Sequence, residues 1–360
     1  FFSALLVFGG VGMFMQDQGQ GQKQALTNIE YVDGHLLNSD LLSIPENKWV
    51  KIYPQTPSFL QSLLSDKETK PDWNRQGHAG LAFNFKTKSL LIFGSDSHGE
   101  NWDNQVHEFN LLNMQWIEHY PASLSQSYRP DSDKNRVAGI DSLFPWAIHT
   151  YDNVAYIPEM DALMVTAKNN NHTPSPNKQA AEAKFDPSWI YDLISEKWKM
   201  LPIKNPPTFF AGASSYDPNT KSLWAYDQWG FWQFDILLQK WRKIPGRHRV
   251  GLGMHYTMVT DTKRHQLLFF GNSKKTNNIW AYTPGDFPQQ EGAWEVRQVE
   301  GDFCPEDQHL PVAYDKHQDA FLLLPDQDEE KSVTLVYLPE ENRYVRITGA
   351  DMPANGMNYM

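Results

Sequence analysis

An apolar or aromatic residue, usually followed by Asn or Asp, is answered seven positions later by Trp or Tyr, and this spacing recurs along the chain. The instances are Leu42/Trp49, Phe109-Asn110/Trp116, Tyr191-Asp192/Trp198, Phe234-Asp235/Trp241 and Tyr337/Tyr344, with a stretched copy at Tyr282/Trp294. Between the partners lie turn residues such as Glu46-Asn47-Lys48, Ser195-Glu196-Lys197 and Glu340-Glu341-Asn342. So short a separation leaves room for two strands and a turn, with the two large side chains facing each other across the hairpin.

A second hairpin alternates with the first. It reads as an apolar strand, a tight polar turn and another apolar strand at 82–92, 154–164, 215–225, 259–269 and 313–323. Two hairpins make a four-stranded unit that recurs every 40 to 80 residues or so, the signature of β-propeller blades. The aromatic-Asp…Trp pairing resembles kelch repeats over nearly all of residues 40–350, with the usual second-strand Gly-Gly reduced to Phe93-Gly94 and Phe270-Gly271. The expected fold is therefore an all-β, kelch-like propeller of four-stranded antiparallel blades. Five full blades are predicted at about 75–120, 140–202, 207–245, 249–299 and 306–348. Residues 40–53 supply outer strands of a further blade and 352–360 the opening of an inner strand. Six or seven blades in total are expected, with the seventh incomplete if the C-terminus is truncated.

Composition narrows the function. A net charge of −11 disfavours a nucleic-acid partner, and any anionic ligand needs a local basic site. The single Cys304 excludes an internal disulfide and a cysteine metal cluster. Residues 1–24, an apolar stretch of signal-peptide length followed by a Gln/Gly-rich tail, read as a signal peptide or anchor remnant. The expectation is a secreted, periplasmic or cell-surface monomer, one propeller domain over 40–360, with no membrane contact beyond that anchor.

Repeat phase then locates a site. With the blades aligned on Lys88, Asp161, Lys221, His265 and Asp319, several irregular stretches fall between second and third strands, at one end of the channel. They are the 94–104 loop (GSDSHGENWDN), the 168–187 insertion, residues 226–230 (YDQWG) and residues 272–278. Residues 144–149 (FPWAIH) and 247–249 enter inner strands from the same end. The expected catalytic set is His98, His149, Tyr226 and Arg249, with Asn101, Trp102, Trp146, Trp229, Arg247, His255 and Tyr256 as substrate contacts. His255 and His309 share the repeat phase of His78, so blade packing accounts for them as well as function does. Histidine and tyrosine are general acid–base groups, Arg reads a carboxylate bidentately, and aromatic faces suit sugar rings.

The segments 97–104 (SHGENWDN) and 145–152 (PWAIHTYD), on a kelch-like propeller with an export signal, resemble the seven-bladed propeller lyases that cleave ulvan, a sulfated algal polysaccharide. The resemblance implies eliminative cleavage beside a uronate. His98, His149 and Tyr226 would be the acid–base groups and Arg249 or its neighbour Arg247 the group that neutralises the substrate carboxylate. The alternative is a non-catalytic kelch propeller that binds a glycan or a protein. A sialidase is disfavoured because the single Asp-box-like stretch carries Ser97 at the Asp position, and a copper-radical oxidase because Cys304 has no companion tyrosine motif. The elimination requires no cofactor. A structural calcium ion has Asp96, Asp103 and Asp152 as candidate ligands, although their spacing does not demand one.

Overall fold

In the computed structural model the described residues are 78–95, 97, 101–174, 177–204, 206–245, 254–271, 278–285, 291–302, 311–324 and 334–347, with the backbone of two paired strands at 29–32 and 35–38. They form five four-stranded antiparallel meanders. Blade 1 runs Gly80–Asn84, Ser89–Phe93, His107–Asn110 and Gln115–Glu118. Blade 2 runs Val154–Ile157, Ala162–Val165, Trp189–Asp192 and Lys197–Met200. Blade 3 runs Ala213–Asp217, Ser222–Asp227, Gly230–Asp235 and Lys240–Lys243. Blade 4 runs Thr257–Asp261, Gln266–Phe270, Asn278–Thr283 and Ala293–Gln298. Blade 5 runs Val312–Asp315, Ala320–Leu323, Thr334–Leu338 and Arg343–Ile347, and Glu300–Gly301 adds a short parallel strand outside it. First strands of successive blades pack side by side, which makes them the innermost. The expected all-β propeller is thus observed. Residues 1–24, 40–53 and 352–360 lie outside the described residues.

The seven-residue spacing is a cross-strand register. Phe109 pairs with Trp116, Tyr191 with Trp198, Phe234 with Trp241, Tyr282 with Trp294 and Tyr337 with Tyr344. The Asn or Asp after the aromatic closes the turn. Asn110 Oδ1 accepts the N–H groups of Leu112 and Asn113, and Asp192 Oδ1 those of Ile194 and Ser195. These are Asx turns, which is why only those residue types recur there. The inner hairpins use the same device at Asn84, Asp217, Asp261 and Asp315. Lys88, Asp161, Lys221, His265 and Asp319, the positions that align the repeats, all adopt left-handed backbone, with φ between 46° and 58°.

Second strands are buried throughout in blades 1, 2, 3 and 5 and carry the core. Blades meet through interdigitated apolar faces: Ile157, Met164, Leu223 and Phe234 between blades 2 and 3, and Trp224, Phe231, Met258 and Phe269 between blades 3 and 4. Each such side chain contributes roughly 1.5–3 kcal/mol on burial.

One boundary needs correction. Blade 2, expected from residue 140, opens at Val154. Residues 119–153 form a separate crossing, with short strands at Arg129–Pro130 and Arg136–Val137. The 168–187 insertion docks onto that crossing. Arg136 N–H donates to Phe185 O at 2.8 Å, Lys184 N–H to Lys134 O at 2.8 Å, and Asn177 Nδ2 to Tyr128 O at 2.6 Å. A buried Arg136–Asp186 ion pair at 2.8 Å clamps the two together.

Candidate functional site

The site begins with backbone geometry at the heads of the inner strands. His78, Tyr151, Ala211 and His255 immediately precede the inner strands of blades 1 to 4, and all four are left-handed, with φ of 85°, 47°, 49° and 69°. The Thr150 and Tyr151 N–H groups both donate to His78 O, at 2.9 and 3.0 Å, and His255 N–H donates to Ala211 O at 2.7 Å. Heads of neighbouring blades are therefore tied to each other. Their side chains meet. Tyr151 packs edge-on against His78 (5.5 Å between ring centroids), His255 (5.3 Å) and Phe210 (5.8 Å).

His149 lies behind this ring, fully buried, its imidazole stacked on His78 at 4.0 Å. Asn170 Nδ2 donates to His149 Nδ1 at 3.1 Å, and Tyr151 Oη lies 3.5 Å from the same nitrogen. His172, from the same insertion as Asn170, stands 5.8 Å from the His149 ring. Burial, reinforced by the neighbouring His78, holds the His255 imidazole down at about 4, so it is neutral at ordinary pH. Burial pushes the Asp152 carboxyl up to about 6, opposed by a hydrogen bond from Thr257. Perturbed groups gathered at one channel end are what a binding or catalytic site requires, although structural networks perturb them too.

Farther out, blade 3 presents Trp229, 48% exposed, on the turn between its second and third strands. Asp227 Oδ1 accepts the N–H groups of Trp229 and Gly230 at 2.8 and 3.0 Å and fixes that turn. Lys168 Nζ stands 5.3 Å over the indole. Phe210, whose N–H donates to Asp227 Oδ2 at 3.4 Å, links this aromatic to Tyr151 and the central ring.

The expected residues fare unevenly. His98, Arg247 and Arg249 lie outside the described residues. His149 and His255 come together around Tyr151. Tyr226 is instead fully buried between blades 3 and 4, edge-on to Phe269, and burial drives its phenol well above the ordinary range. Tyr256 is buried edge-on to Trp280. Trp102 and Trp146 pack against Tyr128 in the core between blades 1 and 2, and Trp146 Nε1 donates to Val137 O. These four present no face to a sugar: the crossing at 119–153 encloses Trp102 and Trp146, and strand alternation turns Tyr226 and Tyr256 into the space between blades 3 and 4. Asn101 braces its own loop through Ser95 and Asp103. Asp103 is engaged by Gln105 N–H and His107, and Asp96 lies outside the described residues. Among the described residues, no three of His, Cys, Asp and Glu gather as a metal site.

Sequence reasoning passed over Tyr151, Asn170, His172 and Phe210. His78 was visible only as a repeat-phase partner of His255, and that shared phase was the usable signal.

No family model and no curated protein matches the sequence. Among solved structures, the chain resembles an auxiliary nutrient binding protein from Bacteroides ovatus, at 8% identity and a TM-score of 0.45, over 76% of this chain and 57% of that one. It also resembles an auxiliary nutrient binding protein from Bacteroides thetaiotaomicron, at 10% identity and a TM-score of 0.47, over 77% of this chain and 58% of that one. The chain thus spans less than two thirds of either.

Proposed function

We propose that this protein is a glycan-binding propeller whose ligand sits at the channel end where the inner strands of blades 1 to 4 begin. The observation that carries this reading is the ring of His78, Tyr151 and His255, drawn from three blades and backed by His149 and Asn170. A sugar offers C–H faces and hydroxyls together. Aromatic faces take the former, and imidazoles and amides, each both donor and acceptor in capacity, take the latter. Titration calorimetry against soluble ulvan, polygalacturonate, xylan and laminarin tests it. At least one should bind, and His149→Gln should weaken that binding. No heat with any of the four speaks against the reading.

A second reading is favoured by one contact, Tyr151 Oη to His149 Nδ1 at 3.5 Å. A phenol and an imidazole in reach of each other are the acid–base groups that β-elimination beside a uronate demands, and His98 with Arg249 or Arg247 would complete a secreted ulvan-type lyase. Elimination leaves an unsaturated uronate, so incubation with ulvan should raise ultraviolet absorbance. Binding without that rise leaves the non-catalytic reading in place.

A further inference from the structure

We propose that the Asp152 carboxylate is the ligand-reading group of this mouth, accepting hydrogen bonds from two neighbouring hydroxyls of a sugar that carries no negative charge at that subsite. The inference rests on the glycan-binding reading and says which part of the ligand is recognised.

Asp152 sits next to Tyr151 at the head of blade 2. Its backbone bridges to Ala213 of blade 3, and its carbonyl oxygen accepts from Ser214 N–H at 2.8 Å and Ser214 Oγ at 3.0 Å. The backbone is therefore pinned on both sides. From there the side chain reaches beyond blade 3 to blade 4, where Thr257 Oγ1 donates to Oδ2 at 3.2 Å. That is the one side-chain hydrogen bond given to it by the described residues. Yet an ionised carboxylate has room for about four donors.

The other enclosed aspartates are different. Asp186 holds Arg136 and Asn169 N–H, Asp217 holds Asn219 N–H and Thr220 Oγ1, Asp227 holds three backbone N–H groups, and Asp261 holds Arg264 and two N–H groups. Each of those is satisfied from within the protein. Asp152 alone among them is deeply enclosed, half-satisfied and still partly open to solvent.

A carboxylate in that state takes hydroxyls or a cation. Of the two, hydroxyls are what the glycan-binding reading supplies. Two acceptor oxygens side by side match a pair of adjacent sugar hydroxyls, whereas a uronate or sulfate placed there would meet like charge. The groups close to Asp152 are Tyr226 from blade 3 and Thr257 from blade 4, and the preceding Tyr151 packs against His255 of blade 4, His78 of blade 1 and His149. Among the described residues no Lys or Arg side chain pairs with the carboxylate. Burial accordingly lifts it to about 6, and its ionised form destabilises the empty fold.

A structural carboxylate and a ligand-reading one respond oppositely to Asp152→Asn. The test uses the full chain and the same four polysaccharides, with affinity from calorimetry and stability from thermal melts. Affinity of the variant should fall about 10- to 100-fold, the range for hydrogen bonds to a charged group, while its melting temperature rises or stays level. The parent's affinity should weaken as pH drops through about 6 and the variant's should not. Asp152→Ser, which removes the carboxylate but leaves a hydroxyl toward Thr257, should repeat the loss. Unchanged affinity in both variants overturns this inference while leaving the glycan reading intact. A lowered melting temperature in both variants overturns it in favour of a structural role. A parent that binds none of the four polysaccharides overturns both.

Discussion

Blades 2 and 3 share one topology and differ in a single connection. In blade 3 the second and third strands are joined by Gln228 and Trp229 alone, held by Asp227. In blade 2 the same connection leaves at Lys168, docks on the 119–153 crossing and returns at Ser188, placing Asn170 and His172 beside His149 on the way. The blade bodies are alike because the aromatic-Asp…Trp register leaves little freedom. The chemistry differs because the connection is not part of that register. Regularity builds the frame, and departures from it furnish the site.

The sharpest way to break the comparison is in the frame. Phe234 is fully buried between blades 2 and 3 and pairs with Trp241. Phe234→Ala should destabilise the whole domain by about 3–5 kcal/mol, seen in chemical denaturation. Next is the clamp of the blade 2 excursion. Arg136→Ala strands Asp186 in the core, a loss of about 3 kcal/mol. Unlike the Phe234 change, it should raise hydrogen exchange chiefly across 168–187 and the crossing, leaving blade 3 protected.

The ring itself should show in the pH dependence of stability. His255 is depressed to about 4 from 6.5, so its protonation is resisted by the fold and stability is lost as pH falls from 6.5 toward 4. Asp152 is raised from 3.8 to about 6, so it acts in the opposite sense, with stability gained as pH falls from about 6 toward 3.8. The two offset each other in the parent. His255→Gln should therefore be more stable than the parent at pH 4.5, by about 1 kcal/mol once solvent screening of this half-buried ring is allowed for, and match it near pH 7.

Smaller still is Asn170→Ala. It removes one neutral hydrogen bond to His149 and should weaken glycan binding roughly 5-fold, with little change in melting. Trp229→Ala completes the series. An exposed side chain on an Asx-held turn should alter stability by less than about 0.5 kcal/mol, yet lower affinity if the ligand extends outward over blade 3.

What was legible in the sequence follows the same division. Repeat phase exposed the strands, the turns and the end of the channel where His149 and His255 meet, because cross-strand registers and Asx turns are local and leave local marks. It did not separate an exposed tryptophan from one that packs against Tyr128. Trp102 and Trp146 sit in irregular stretches as Trp229 does, and only the crossing at 119–153, which carries no repeat, buries them. Tyr226 misled for the opposite reason. It ends near the expected face, but strand alternation turns its ring into the space between blades 3 and 4.

The four left-handed heads have one more implication. A residue other than glycine in that region of backbone is disfavoured by about 1 kcal/mol, yet the positions hold His, Tyr, Ala and His rather than four glycines. Each of blades 1 to 4 thus offers one slot whose backbone is set by its neighbour and whose side chain the repeat leaves unspecified. Over these four blades the mouth is a word spelled one letter per blade, and Ala211 is its blank. A library randomised at those positions alone should yield folded propellers with altered ligand preferences, because rewriting the word leaves the grammar of the blades untouched.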